Sequence, residues 1–225
     1  MRRLWTWANR ITVLRIALVF FLVFLVYNQG FWTRLFAAAL VIFIIVTDWL
    51  DGYLARRLQE STMLGSVLDI AGDRVVETVL WIVLADLRLV PVWIPIVVIS
   101  RDVLTDSIRS YVFRFGFTAF GQKTMMRTPL GRFLTGSPWM RTAYAILKAV
   151  TFSWLLAVSV LDRVPSGWWT IPSAWITTGF SIGYWLAVCT ATICLIRGIP
   201  VIIEGIALIH ELETDASSRH HIPGH

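Results

Sequence analysis

Apolar residues dominate four stretches of this chain, about Ile11–Tyr27, Phe31–Leu50, Arg141–Val160 and Ala174–Ile196. Each is close to the ~20 residues an α-helix needs to cross a bilayer. Two more stretches, about Thr62–Leu84 and Val92–Phe113, are also mostly apolar but carry charges at helical spacing. The first holds Asp69, Asp73 and Glu77; the second holds Arg101, Asp102, Asp106 and Arg109. The pattern predicts six helices. The second continues beyond its apolar part through Arg57, and Gln59–Thr62 forms a turn in which Thr62 can cap the third. Asn28-Gln29-Gly30, Asp86-Leu87-Arg88 with Pro91, and Pro165-Ser166-Gly167 read as short connections. Residues 114–140 are basic and rich in Gly and Pro, and form the main loop outside the membrane. The opening MRRLWTWANR suits a short amphipathic segment at an interface. After the sixth span, Gly198 and Pro200 are expected to interrupt the helix. A second apolar piece, 201–212, extends it or lies at the interface, and a frayed polar tail follows over 213–225. The expected fold class is an all-α integral membrane protein with six transmembrane helices and an N-terminal interfacial segment. Residues 1–225 form one membrane domain without an internal repeat.

Composition sharpens this reading. The chain is 57% hydrophobic with a mean hydropathy of +0.70 and 12 Trp, a membrane composition and not that of a soluble core. Its formal charge of +6 would suit nucleic acid in a polar chain. Here it points instead to anionic lipid or phosphorylated substrates. Cys189 and Cys194 project from different helix faces and are expected to stay unbridged. No small-residue cleavage site follows the first apolar run, so that run is expected to remain as a membrane helix. With the N-terminus inside, the inner connections carry Arg2, Arg3, Arg10, Arg56, Arg57, Arg114, Lys123, Arg127, Arg132 and Arg141, with Arg197 at the end. The outer ones carry Arg34, Arg88 and Arg163. This asymmetry places both termini on the cytoplasmic side of a multi-pass protein of a bacterial inner or plasma membrane.

Candidate chemistry gathers between Asp48 and Asp73. Asp48 and Asp51 are i, i+3 and Asp69 and Asp73 are i, i+4, so each pair shares one face of its helix. A tight turn makes the two helices antiparallel neighbours and lets the pairs face each other near the cytoplasmic end. Four carboxylates brought together at low dielectric must protonate or bind cations. Hard oxygen ligands suit Mg²⁺, Mn²⁺ or Ca²⁺, and this set could hold two such ions. Gly52 leaves room for a ligand, Arg56 can meet a phosphate, and Gly65 sits where the third helix passes closest. A phosphate-containing substrate is the economical reading, because paired metals clamp an oxyanion during displacement at phosphorus.

The stretch matches Asp-x2-Asp-Gly-x2-Ala-Arg-x8-Gly-x3-Asp-x3-Asp at every fixed position: Asp48, Asp51, Gly52, Ala55, Arg56, Gly65, Asp69 and Asp73. In this it resembles the signature of the CDP-alcohol phosphotransferases, whose six-span architecture is also similar. The resemblance implies displacement of CMP from a CDP-linked lipid, here CDP-diacylglycerol, by an alcohol hydroxyl at a site with two divalent ions, Mg²⁺ or Mn²⁺. Carried over, Asp48, Asp51, Asp69 and Asp73 are metal ligands and Asp73 is also the general base. Gly52, Arg56 and Thr62 contact the CDP portion. Asn9 and Thr12, in NRITVLR, resemble the family's N-terminal nucleotide-contacting segment. SRDVLTDSIR and the basic loop after it resemble the phosphatidylglycerophosphate synthase branch, which implies glycerol 3-phosphate as acceptor. Arg101, Arg109, Arg141 and Lys148 are then the candidate cations for the acceptor phosphate. Ile70, Gly72 and Arg74 stand where that branch commonly has proline, alanine and lysine, so inositol phosphate or another alcohol stays open as acceptor.

Blander readings stand beside these. The aspartates could be helix caps, but caps do not need facing pairs. Arg57 reads as topology alone. Arg101 and Arg109 could equally pair with Asp102 and Asp106. Glu77 is either support for the metals or an ion-pair partner. His220, His221 and His225 read as a solvated tail, and the apolar stretch from Val201 as lipid-facing with a homodimer contact as the alternative. From another class, a divalent-cation transporter would also place carboxylates in a membrane, but no acidic set lines the outer half.

Overall fold

The computed structural model describes residues 7–28, 30–58, 63–116, 124–165 and 171–220; of 7–8, 48–58, 63–64, 66 and 215–220 only the backbone is described. The described residues are helical almost throughout and include no β-strand. The elements are α1 (Trp7–Tyr27), α2 (Phe31–Leu58), α3 (Met63–Asp86), α4 (Trp93–Phe113), the single turn α5 (Pro129–Gly131), a π-helical turn (Arg132–Gly136), α6 (Pro138–Leu161) and α7 (Ser173–His220). The continuation of α2 beyond its apolar part through Arg57 is present. Of the expected interfacial segment, residues 1–6 and the Gln59–Thr62 turn lie outside the described residues, and Trp7–Arg10 forms the first turn of α1.

Among the described residues three helices are long and apolar enough to cross a membrane: Asn9–Tyr27, Pro138–Leu161 and Ser173–Thr214. The chain is thus a membrane protein. The apolar part of α2, Phe31–Thr47, is shorter. Within α3 and α4 the charged residues at 69, 73, 74 and 77, and at 101, 102, 106 and 109, break the apolar run.

One expectation needs correction. Gly198 and Pro200 do not interrupt the sixth apolar helix; α7 runs without a break for 48 residues with Pro200 inside it, into the segment expected to fray. Proline removes one backbone donor and crowds the preceding turn, but packing holds the helix through this region. A Cβ on Gly198 would lie 2.4 Å from Arg101 Nε, so the backbone of α7 lies directly on the Arg101 side chain.

The helices fall into two compact units, Met1–Pro95 with Lys148–Ala187, and Ile96–Leu147 with Val188–His225. In the first unit α1 packs against α2 and α3. Its buried stripe reads Asn9, Thr12, Arg15, Val19, Leu22 and Val26, polar for two turns and apolar after that. Near its far end Tyr27 Oη donates to Asp86 Oδ2 at 2.5 Å, so α1 and α3 run parallel. Trp81 of α3 is fully buried and meets Phe152 of α6 edge-on at 4.9 Å. Gly179 and Gly183 of α7 face Val158 and Leu155, and Trp154 Nε1 donates to the Gly179 carbonyl at 2.9 Å. Small residues one turn apart allow this close helix approach in a membrane.

In the second unit α4 and α7 meet at matched seven-residue spacings, Arg101 on Gly198 and Ile108 on Gly205. Val112, Met125, Met126, Val201 and Leu208 form the core. The described part of the basic loop is fastened to α7 by two glutamates. Glu204 accepts from the backbone of Arg127 and Thr128 and from the Thr128 hydroxyl, and Glu211 takes both ends of the Arg127 guanidinium. Thr128 also caps α5 by accepting from Gly131 N, with Pro129 at its first position.

Candidate active site

The polar half of α1 lies over the acidic face of α3. Asn9, Thr12 and Arg15 are each 2% exposed and repeat every three residues, so they share one face. Gly72 of α3 makes the approach possible. A Cβ there would stand 2.7 Å from Thr12 Cγ2 and 3.3 Å from Arg15 Nη2. The two aspartates of α3 flank this contact. Arg15 Nη2 donates to Asp73 Oδ1 at 2.6 Å and lies 3.5 Å from Asp69 Oδ1. Both aspartate side chains remain about half exposed, at 47% and 50%. Arginine suits this place because its delocalised charge tolerates burial better than an ammonium and can serve two carboxylates.

One turn beyond Asp73, Glu77 is buried and bonded to Lys148 Nζ of α6 at 2.6 Å, with Arg74 Nη1 at 3.7 Å. A buried carboxylate is costly unless paired, and these cations supply the pairing. The α3 face is therefore an alternating column in which Arg15, then Lys148 with Arg74, answer Asp69, Asp73 and Glu77. Lys148, expected as an acceptor cation, stands in the same compact unit as the aspartates. Arg101, Arg109 and Arg141 belong to the other unit. There Arg101 Nη1 is 2.6 Å from Asp102 Oδ1, with both residues buried, and Arg109 Nη1 is 3.8 Å from Asp106 Oδ1. Arg141 is exposed near the start of α6.

The backbone of Asp48, Asp51, Gly52 and Arg56 occupies the last turns of α2; their side chains, and all of Thr62, lie outside the described residues. Asp69 and Asp73 fit a hard divalent cation on the chemistry of their donors: two carboxylates one turn apart, accessible, and carrying more negative charge than one guanidinium cancels. Among the described residues no group of three acidic, His or Cys side chains comes together.

The sequence reading did not single out Arg15 or Gly72 as site residues. Arg15 follows Asn9 and Thr12 at the same interval of three inside an apolar run, and that interval is the signal that points to it.

Comparison with known proteins gives the chain's relatives. The family model described as CDP-alcohol phosphatidyltransferase matches residues 5–208. A protein of Pseudomonas fluorescens named CDP-diacylglycerol–glycerol-3-phosphate 3-phosphatidyltransferase is 34% identical over 116 residues, 50% of this chain and 59% of the relative. A protein of the same name from Bacillus subtilis (strain 168) is 28% identical over 187 residues, 74% of this chain and 94% of the relative. One from Pectobacterium atrosepticum is 32% identical over 109 residues, 47% of this chain and 59% of the relative. The chain thus spans about three fifths of the first and third relatives and nearly the whole of the second.

Proposed function

This chain belongs to the CDP-alcohol phosphatidyltransferase family, and from that premise we propose that it transfers a phosphatidyl group from CDP-diacylglycerol to glycerol 3-phosphate, releasing CMP. The observation that carries the reading is the Asp69–Asp73 pair held half open beside the buried Arg15. The matching names of the relatives supply the acceptor.

In the proposed reaction the acceptor hydroxyl oxygen attacks the phosphorus that carries the diacylglycerol. The new O–P bond forms as the bond to the CMP phosphate breaks. CMP leaves with that electron pair, and the hydroxyl proton passes to a carboxylate oxygen of Asp73. Asp48, Asp51, Asp69 and Asp73 would hold two divalent ions, Mg²⁺ or Mn²⁺, which when bound offset the charge of the diphosphate and of the departing CMP. Arg15 keeps the Asp73 carboxylate in one orientation, since its own guanidinium is packed between α1 and α3. Gly52, Arg56 and Thr62 are assigned to the CDP portion, with Asn9 and Thr12 on the nucleotide side. Lys148, steered by Glu77, is assigned to the acceptor phosphate.

We further assign α1, α2, α3, α4, α6 and α7 as six spans of one catalytic membrane domain, with both termini and the aspartates on the cytoplasmic side. The charges of α3 and α4 are met by ion pairs, Asp69 and Asp73 by Arg15, Glu77 by Lys148, and Asp102 and Asp106 by Arg101 and Arg109, which is how charged side chains are accommodated at membrane depth. The test is an acceptor panel. Purified protein is given CDP-diacylglycerol, Mg²⁺ or Mn²⁺ and one alcohol at a time, and CMP release is measured. Release is expected with glycerol 3-phosphate. Release with inositol phosphate and none with glycerol 3-phosphate would overturn the acceptor while leaving the reaction class intact.

A further inference from the structure

Arg34, Arg88 and Arg163 sit on three different elements, the start of α2, the α3–α4 connection and the end of α6, and the positive-inside pattern leaves them as the exceptions on the outer side. The structure brings them to one cavity of about 570 Å³. Asp162 lines it too, so three guanidinium groups face one carboxylate. Arg34 is only 9% exposed, and its Nε has no hydrogen-bond partner among the described residues. Arg163 repels it and Asp162 attracts it. Arg88 takes φ 59° in the turn that stops α3, where Leu89 N bonds back to the Leu84 carbonyl, a common left-handed helix ending.

The cavity is remote from the aspartates. Arg34 precedes Asp48 by 14 residues on α2, and Leu87 follows Asp73 by 14 along α3, each about 21 Å at 1.5 Å per helical residue. Its other lining residues are mixed: Leu87, Leu89 and Phe180 are apolar and Ser159, Thr177 and Ser181 are polar, with the exposed rings of Tyr184 and Trp185 beside them. Aromatic side chains of this kind settle at the level of lipid headgroups.

We propose that this cavity is a second binding site, for a phosphate-bearing anion, held by Arg34, Arg88 and Arg163 at the end of the first unit opposite Asp69 and Asp73. Guanidinium groups match phosphate oxygens in charge and in forked geometry. A headgroup phosphate would meet the guanidinium groups and lay its chains against Leu87, Leu89 and Phe180; a free phosphate would meet the guanidinium groups alone. The site is separate from the phosphatidyl-transfer reading and stands or falls without it.

The test uses the full chain in non-ionic detergent, comparing wild type with Arg88→Gln/Arg163→Gln, both exposed positions. One arm measures retained phosphatidylglycerol by native mass spectrometry, and the other measures binding of inorganic phosphate by equilibrium dialysis. The double variant is expected to lose at least tenfold in one arm, and that arm identifies the source of the phosphate. Its melting temperature and its CMP release from CDP-diacylglycerol should stay within twofold and a few degrees of wild type. Asp73→Asn should keep the bound anion, which separates this site from the catalytic one. Equal binding by wild type and double variant in both arms would overturn the proposal.

Discussion

Replacing Arg15 by methionine removes the cation that joins α1 to the acidic face of α3 while keeping most of the buried apolar stem. Among the described residues the guanidinium donates to Asp73 at 2.6 Å and makes a longer contact to Asp69 at 3.5 Å. A hydrogen bond to a charged group is worth about 1.5–3 kcal/mol. Because both carboxylates are half exposed, water replaces part of what is lost, and the lower part of that range, about 1.5–2 kcal/mol, applies. If this energy orients the Asp73 carboxylate for proton transfer, kcat falls about 10–30-fold at 1.36 kcal/mol per tenfold. A structural role alone would predict the same loss of stability, so a second readout is needed. Arg15 competes with divalent cations for the same two carboxylates. Its removal should therefore lower the Mg²⁺ concentration needed for half-maximal rate even as the maximal rate falls. Arg15→Lys keeps the charge without the fork and should recover part of the rate. Initial rates of CMP release across a Mg²⁺ titration, with melting temperatures in the same detergent, decide the matter. A methionine variant within twofold of wild type in kcat, or one that needs more Mg²⁺, would refute the reasoning.

Other outcomes follow from the same contacts. Asp73→Asn should abolish turnover while the helical circular dichroism and melting temperature stay near wild type; near-normal transfer would remove the base assignment. Lys148→Met removes the shorter of the two described cation contacts of buried Glu77 and should cost about 3 kcal/mol, largely recovered in Lys148→Met/Glu77→Gln and read as a double-mutant cycle in thermal unfolding. With its folding rescued, that double variant should still show a raised KM for glycerol 3-phosphate. Gly183→Ala places a methyl 2.4 Å from Leu155 Cδ2, so the buried Leu155 must repack or α6 and α7 part, at about 1–3 kcal/mol of stability measurable in the same unfolding assay. Chelation of divalent ions should stop CMP release, and added Mg²⁺ or Mn²⁺ should restore it.

Much of this arrangement is legible in the sequence because each part is local. The apolar runs and their turns place α1–α4 within a few residues, and the i, i+4 spacing puts Asp69 and Asp73 on one face of α3 as found. What escapes a linear reading depends on partners distant in the chain. Arg15 looks like a charge at the edge of a membrane span until Gly72 brings α3 beneath it. Pro200 reads as a helix end, but Gly198 beside it is seated on Arg101, and that packing carries α7 through. Lys148 and Glu77 lie 71 positions apart and reveal their pairing only in the packed unit. Arg34, Arg88 and Arg163 look like scattered exceptions to a topology rule because the first turn of α2 and the turns after α3 and α6 supply them to one cavity.

The central claim is the reaction itself. Purified full-length protein given CDP-diacylglycerol, glycerol 3-phosphate and Mg²⁺ should form phosphatidylglycerol phosphate and CMP in equal amounts, measured together by mass spectrometry. Omitting any of the three should leave both at background. CMP formed without the phospholipid product, or neither formed under any divalent metal, would contradict the account.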